Sequence, residues 1–92
     1  MPEICRFYGI VIKMYFADHA PAHFHAEYAE YAEYAEYEAR IAVDSLAVIS
    51  GTLPPRAMGL VAEWATLHQQ ELQALWEKAR NHQPLNRLEP LP

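Results

Sequence analysis

The fold is decided by residues 54–80, which read PPRAMGLVAEWATLHQQELQALWEKAR. Apolar residues recur in this stretch at spacings of three and four, which is the period of a helix with one buried side. The buried stripe comprises Val61, Trp64, Ala65, His68, Leu72, Leu75, Trp76 and Ala79. Two prolines at the start suit a first helical turn, and Asn81 is a suitable terminator. The pattern predicts one long helix over residues 54–80.

Residues 1–50 carry the pattern of a sheet instead. The stretch 7–16 is rich in β-branched and aromatic residues and predicts one strand. The side chains expected on its core side are Ile10, Ile12, Met14 and Phe16. Further strands are predicted from His23, over 39–43 and over 46–49, with a turn at Asp44-Ser45. We therefore expect an α+β fold, in which a small antiparallel sheet of three to four strands packs against one long C-terminal helix.

Composition and charge indicate one globular domain spanning residues 1–92, with an extended tail over 81–92. The chain is 52 % hydrophobic and 21 % charged, and its net charge is −5. Residues 26–38 hold five glutamates and no basic residue, so the rest of the chain is neutral and gives no strong nucleic-acid signal. No apolar run is long enough for a membrane span, no signal peptide is recognisable, and Cys5 is the single cysteine. These features predict a cytoplasmic protein.

Residues 26–37 repeat the triplet Ala-Glu-Tyr four times. A period of three fits neither the strand period of two nor the helical period of 3.6. Because the block lies between two predicted strands, we favour an extended hairpin arm outside the core over a helix. One interpretation is a solvated insertion. The other is a surface that pairs with another chain or a second copy through Tyr28, Tyr31, Tyr34 and Tyr37, although the row of glutamates opposes pairing by like-charge repulsion.

A dense histidine cluster occupies residues 18–25, which read DHAPAHFH. His23 and His25 are two apart, so they point the same way in a strand, and a loop brings Asp18 and His19 close. His68, on the helix stripe, is expected to approach them. Three interpretations stay open: a metal site of zinc type, general acid–base catalysis, or hydrogen bonds that only stabilise the loop. No standard motif specifies a metal or a cofactor.

Several stretches together resemble one bacterial family, domain of unknown function 4160. They are residues 6–16, residues 18–25, Leu53-Pro54-Pro55-Arg56-Ala57 and residues 63–72. The resemblance covers nearly the whole chain, and it implies a protein partner encoded nearby, often of the domain of unknown function 2442 family. Arg56 and Asp18 join the repeat tyrosines as candidate binding residues. The family pattern holds one or two triplets where this chain has four, so the repeat is expected to be expanded.

The leading functional prediction is therefore a component of a bacterial two-gene toxin–antitoxin-like or stress module that acts through protein–protein contact. One alternative is a small histidine-dependent nuclease or metal-dependent hydrolase. It would use His19, His23, His25 and His68. Another is a protein that self-assembles into homo-oligomers through its tyrosine-rich arm. A metal analysis and a gene-neighbourhood map would separate these predictions.

Overall fold

The computed structural model describes residues 2–30 and 36–92, and within them it has an α+β architecture. Five strands form one antiparallel sheet in chain order, followed by two helices. The strands are β1 (Glu3–Phe7), β2 (Ile10–Lys13), β3 (His23–Tyr28), β4 (Tyr37–Ala42) and β5 (Val48–Thr52). The helices are α1 (Pro55–Leu67) and α2 (Gln69–Arg80). The α+β class and the antiparallel sheet are confirmed, whereas the predicted three to four strands and one long helix are corrected to five and two.

The extra strand arises because residues 7–16 do not form one strand. A two-residue turn at Tyr8 and Gly9 separates β1 from β2, so that Phe7 pairs with Ile10. Both turn residues have positive φ, 49° at Tyr8 and 82° at Gly9, as a type I′ hairpin turn requires. Asn-Gly and Asp-Gly are the sequences typical of this turn, and an aromatic residue in the left-handed region is uncommon. Tyr8-Gly9 is therefore not one of the dipeptides from which this turn is usually predicted.

β5 begins two residues and ends three residues further along the chain than the predicted strand over 46–49. Ser50, Gly51 and Thr52 lie beyond that predicted strand, but they pair with β4. Gly51 has a φ of 79°, and a Cβ atom on it would stand 2.1 Å from the carbonyl oxygen of Glu38. Only glycine fits this close approach, so a residue that usually weakens a strand is required at this position.

The hairpin of β3 and β4 contains the two ends of the repeat. Tyr28 pairs with Tyr37 at the last described rung, and their ring centroids are 6.3 Å apart. Residues 31–35, which include Tyr31 and Tyr34, lie outside the described residues. Ala26 is fully buried in the hydrophobic core, so the expectation that the whole block lies outside the core is wrong for its first triplet.

The helix is interrupted at His68, where φ is −117° and ψ is 18°. Two side-chain contacts accompany the break. The Thr66 hydroxyl donates to the carbonyl of Ala62, a bond that bends helices, and the Gln69 amide donates to the carbonyls of Val43 and Asp44. Gln69 therefore ties the start of α2 to the turn after β4. Side-chain periodicity continues across the break, which is why the sequence predicted a single helix.

The core lies between the sheet and the helix stripe. Every residue of the predicted stripe is buried except His68, which is half-buried. Trp64 is at the centre, with its ring 5.6 Å from Phe7 and 6.0 Å from Phe24 between centroids. Of the predicted strand residues, Ile10, Ile12 and Met14 are buried, whereas Phe16, which lies three residues beyond the end of β2, is exposed. Among the described residues, no helix has the length and apolar character of a membrane span.

Candidate functional site

The loop after β2 and the start of β3 bring three predicted site residues together. One carboxylate oxygen of Asp18, Oδ2, lies 3.0 Å from Nε2 of His23 and 3.2 Å from Nε2 of His25. The two imidazoles are neighbours because residues two apart in a strand point the same way. Their ring centroids are 5.2 Å apart. We call Asp18, His23 and His25 the Asp-His-His cluster.

The outward nitrogens of the two rings also face oxygen atoms. Nδ1 of His23 lies 2.8 Å from the carbonyl oxygen of Pro21, which can only accept a hydrogen bond. Nδ1 of His25 is buried and has no hydrogen-bond partner among the described residues. Its closest carboxylate atom is Oε1 of Glu38 on β4, at 3.6 Å, which is too long for a hydrogen bond.

Aromatic rings enclose the cluster on two sides. Tyr15 meets His25 edge-on at 4.4 Å between centroids, and Trp76 of α2 lies 5.1 Å from His23. Burial raises the pKa of the Tyr15 hydroxyl. The sequence pattern gave no indication that Tyr15, Trp76 or Glu38 belongs to this site. Tyr15 was close in sequence to the histidines, but the other two come from α2 and β4, and only the packed fold brings them near.

The charge state of Asp18 is set by opposing effects. Burial raises the pKa of its carboxyl. The backbone amide of His19 and the two imidazoles together lower this pKa by more than burial raises it, so the net pKa is below its ordinary value. The His19 amide donates to the second carboxylate oxygen at 2.8 Å. A carboxylate that stays ionised beside two imidazoles can bind a divalent cation or orient a histidine for proton transfer.

The remaining two histidines occupy other surroundings. The side chain of His19 is exposed, and this residue contributes its backbone amide to Asp18. His68 has its Nδ1 2.6 Å from Oε1 of Glu71, and its ring lies 5.2 Å from that of Trp64. Within the described residues, the group whose ligand atoms all lie within 4.8 Å of one another contains the Asp-His-His cluster and neither His19 nor His68. Of the four predicted histidines, the structure therefore places His23 and His25 together with Asp18 in this group.

Two of the predicted binding residues, Arg56 and Tyr28, lie together at a second place, whereas Asp18 belongs to the Asp-His-His cluster. Arg56, at the start of α1, lines a pocket together with Tyr28 and Tyr8. Nothing in the sequence pattern indicated that Arg56 and Tyr28 are neighbours or that Tyr8 joins them. The hydroxyl of Tyr8 donates to the carbonyl oxygen of Pro92, so the end of the chain lies beside this pocket. Tyr37 lies across the hairpin from Tyr28.

The fold and these residues define a small α+β domain with a histidine-rich loop at the end of its sheet. The family model described as Domain of unknown function (DUF4160) matches residues 9–77, which is most of the chain. The chain therefore belongs to this family. Comparison with curated proteins and with solved structures finds no match to the chain.

Proposed function

We propose that this protein is one component of a bacterial two-gene toxin–antitoxin-like or stress module and that it acts by binding a protein partner. The observation that carries the proposal is that one edge of the sheet is covered and the other is open. One edge is covered by the protein's own C-terminal tail, and the other offers an uncharged strand with exposed apolar side chains. An open edge of this kind binds an extended segment of another chain by strand addition.

The covered edge is β1. The backbone amide of Leu88 donates to the carbonyl of Ile4 at 2.8 Å, and the Arg87 guanidinium contacts both the carbonyl and the carboxylate of Glu3. The indole N–H of Trp64 donates to the carbonyl of Glu89 at 2.8 Å, which fixes the tail further along. These bonds satisfy backbone groups that would otherwise be available for pairing with another chain.

The open edge is β5, which reads Val-Ile-Ser-Gly-Thr. Val48 is 44 % exposed and Ile49 is 41 % exposed, and the strand has no charge. Within the described parts of the chain, the backbone of residues 48–52 makes no hydrogen bond outside its pairing with β4. Edge strands are usually protected by lysine, proline or a bulge. The pairing of β5 with β4 has a bulge at Ile49, but β5 contains neither lysine nor proline, so two of these three protections are absent. We take this weaker protection as support for its use as a docking strand.

The occupant that we propose for β5 is an extended segment of the protein encoded by the adjacent gene. The test is to purify both proteins and to measure their affinity by calorimetry, with Ile49→Lys and Leu67→Lys as matched variants. Both positions are exposed leucine or isoleucine side chains, but Leu67 ends α1. We expect Ile49→Lys to weaken binding by about tenfold or more, because a charged edge disfavours strand addition. Loss of binding in Leu67→Lys alone would move the contact to α1, and no complex with the neighbour would reject the proposal.

The second candidate is a small histidine-dependent nuclease or metal-dependent hydrolase, and the Asp-His-His cluster favours it. Two imidazoles beside one ionised carboxylate provide the groups that general acid–base and metal-assisted hydrolysis use. The test is hydrolysis of bis(p-nitrophenyl) phosphate and of single-stranded RNA by the full chain, with and without added zinc. Activity that is lost in Asp18→Asn and kept in His19→Gln would support this candidate, and no activity above buffer would reject it.

A third element of the proposal concerns the triplet block. We propose that its four copies are an expansion of a shorter segment in the family and that copy number tunes self-association of the arm. Support comes from the facing pair Tyr28 and Tyr37, since Tyr37 is exposed at the described end of the hairpin. Adding triplets changes strand parity, because three is odd and side chains alternate with a period of two.

A further inference from the structure

We propose that Asp18, His23 and His25 form a binding site for one zinc ion. The ligands are Nε2 of each histidine and a carboxylate oxygen of Asp18. Three protein ligands leave one position of a tetrahedral zinc ion for water or for a substrate atom, which is the arrangement of catalytic zinc sites. This inference deepens the second candidate function, which uses the same cluster, by naming the metal, and it is independent of partner binding at β5.

The spacing of the three ligand atoms suits zinc. Bonds of about 2.0–2.1 Å in a tetrahedron put neighbouring ligand atoms about 3.3 Å apart. The separations of the two Nε2 atoms from Oδ2 of Asp18, 3.0 Å and 3.2 Å, are close to that length. All three ligand atoms lie within 4.8 Å of one another. Two of the ligands stand on one strand, so their relative position is fixed by regular backbone geometry.

The tautomer of His23 provides an independent reason. Its Nδ1 faces the carbonyl of Pro21 at 2.8 Å, so this nitrogen must carry the hydrogen. In the neutral ring Nε2 then presents a lone pair to the Asp18 carboxylate, so these two atoms attract each other only when a proton or a metal ion lies between them. We propose that a metal ion occupies this position. Histidines that bind metals characteristically donate the other ring N–H to a carbonyl or carboxylate, and Pro21 plays that part here.

His25 presents the same conflict. If a neutral ring donates from Nε2 to Asp18, the lone pair on its buried Nδ1 is directed toward the carboxylate of Glu38, and no donor reaches it within the described structure. If zinc is bound at Nε2, Nδ1 carries the hydrogen. Glu38 becomes its acceptor once the present 3.6 Å separation between Nδ1 and Oε1 shortens to hydrogen-bond length. One zinc ion therefore gives each of the four ring nitrogens a favourable partner.

The surroundings would strengthen zinc binding. His23 is almost fully buried, and the rings of Trp76 and Tyr15 enclose the two imidazoles. A cation and its carboxylate ligand attract more strongly where aromatic walls exclude water, because the local dielectric constant is low. His19 directly follows Asp18 in the chain, but its side chain is exposed. It is therefore a suitable control for non-specific binding by surface histidines.

The test uses the untagged full-length chain after chelator treatment. Zn²⁺ is titrated by calorimetry against a competing chelator, and Co²⁺ is titrated by visible absorption, because tetrahedral cobalt absorbs strongly. We expect one ion per chain, and His25→Gln and Asp18→Asn should each weaken binding by on the order of a hundredfold or more, since even outer partners of metal ligands are worth 10–100-fold. His19→Gln should bind as tightly as the parent. Saturating zinc should also raise the thermal midpoint of the parent by roughly 10 °C.

Three results would overturn the proposal. The first is no zinc binding by the parent chain. The second is equal affinity in the parent and in both ligand variants. The third is a loss in His19→Gln as large as that in His25→Gln, which would indicate adventitious binding by surface imidazoles. Circular dichroism shows whether His25→Gln folds, and if it does not, the near-isosteric Asp18→Asn variant decides the question. None of these measurements depends on a partner at β5, so the two proposals fail separately.

Discussion

Replacing Trp64 by alanine is expected to remove a large part of the stability of this domain. The side chain is fully buried between α1 and the sheet, where it contacts Phe7 and Phe24. Truncation of a buried tryptophan to alanine costs about 3–5 kcal/mol. A chain of this length has a total stability of about 5–14 kcal/mol at 0.05–0.15 kcal/mol per residue. Trp64→Ala should therefore remove at least about a fifth of the free energy of unfolding, and most of it if the total lies at the low end of that range.

A second substitution at the same position separates packing from hydrogen bonding. The Trp64 indole N–H donates to the carbonyl of Glu89 and so fixes the tail that covers β1. Trp64→Phe keeps an aromatic ring in the core but loses this bond and some volume, and we expect it to cost about 1–2 kcal/mol. Hydrogen exchange should show faster exchange at the Leu88 amide, which bonds to Ile4, in both variants.

The assay is urea unfolding followed by far-UV circular dichroism, so that the loss of a tryptophan does not remove the signal. Leu67→Ala is the control, because Leu67 is 67 % exposed on the same helix and its truncation should change stability by less than about 0.5 kcal/mol. A loss below 1 kcal/mol in Trp64→Ala would refute the reasoning, because it would mean that α1 is not docked to the sheet through this side chain.

Other predictions concern the edge strand, the N-terminus and the repeat. Gly51→Ala should cost at least about 2 kcal/mol in urea unfolding, because of its positive φ and the collision of a Cβ atom with β4. Gly59→Ala, with open space around it, should stabilise the protein by about 0.5–1 kcal/mol. Equal effects of the two substitutions would contradict this prediction. Arg6 and Arg87 lower the pKa of Glu3 from 4.5 to about 2, so Glu3→Gln should cost about 0.5–1 kcal/mol of stability at pH 7. This loss of stability should shrink as the pH falls from 4.5 toward 2. A loss that is independent of pH would argue against the ion pairs. Chains with two to five triplets should keep similar thermal midpoints but differ in self-association by light scattering, and equal association throughout would reject tuning by copy number.

The pH prediction follows from the direction of the Glu3 shift. A lowered pKa in the folded state means that the ionised carboxylate is stabilised by folding, so the contribution is complete above the unfolded value of 4.5 and is lost as the group is protonated near 2. The two arginines are mostly exposed, so solvent screens the pairs and the expected free energy is well below the value that the shift alone suggests. Added salt should reduce it further.

The sequence by itself determined the elements whose pattern is local. The helix stripe from Val61 to Ala79 could be identified because the spacing of apolar residues follows the helical period wherever one side packs on a core. The buried residues Ile10 and Ile12 followed from the strand period of two in the same way. The position of His23 and His25 on one side of a strand also follows from the strand period, so two of the three residues of the Asp-His-His cluster could be predicted in this way.

The tertiary structure decided what depends on residues far apart in the chain. The turn at Tyr8 and Gly9 has no usual turn sequence, and the helix break at His68 leaves the apolar period intact. Neither feature could therefore be predicted from the sequence pattern. Periodicity predicts which side of an element is buried but not what lies opposite, and so it placed His68 beside the other histidines. The structure instead brings Glu38 and Trp76 to the cluster and lays the tail along β1, because cross-strand register and helix docking depend on the packing of the whole chain.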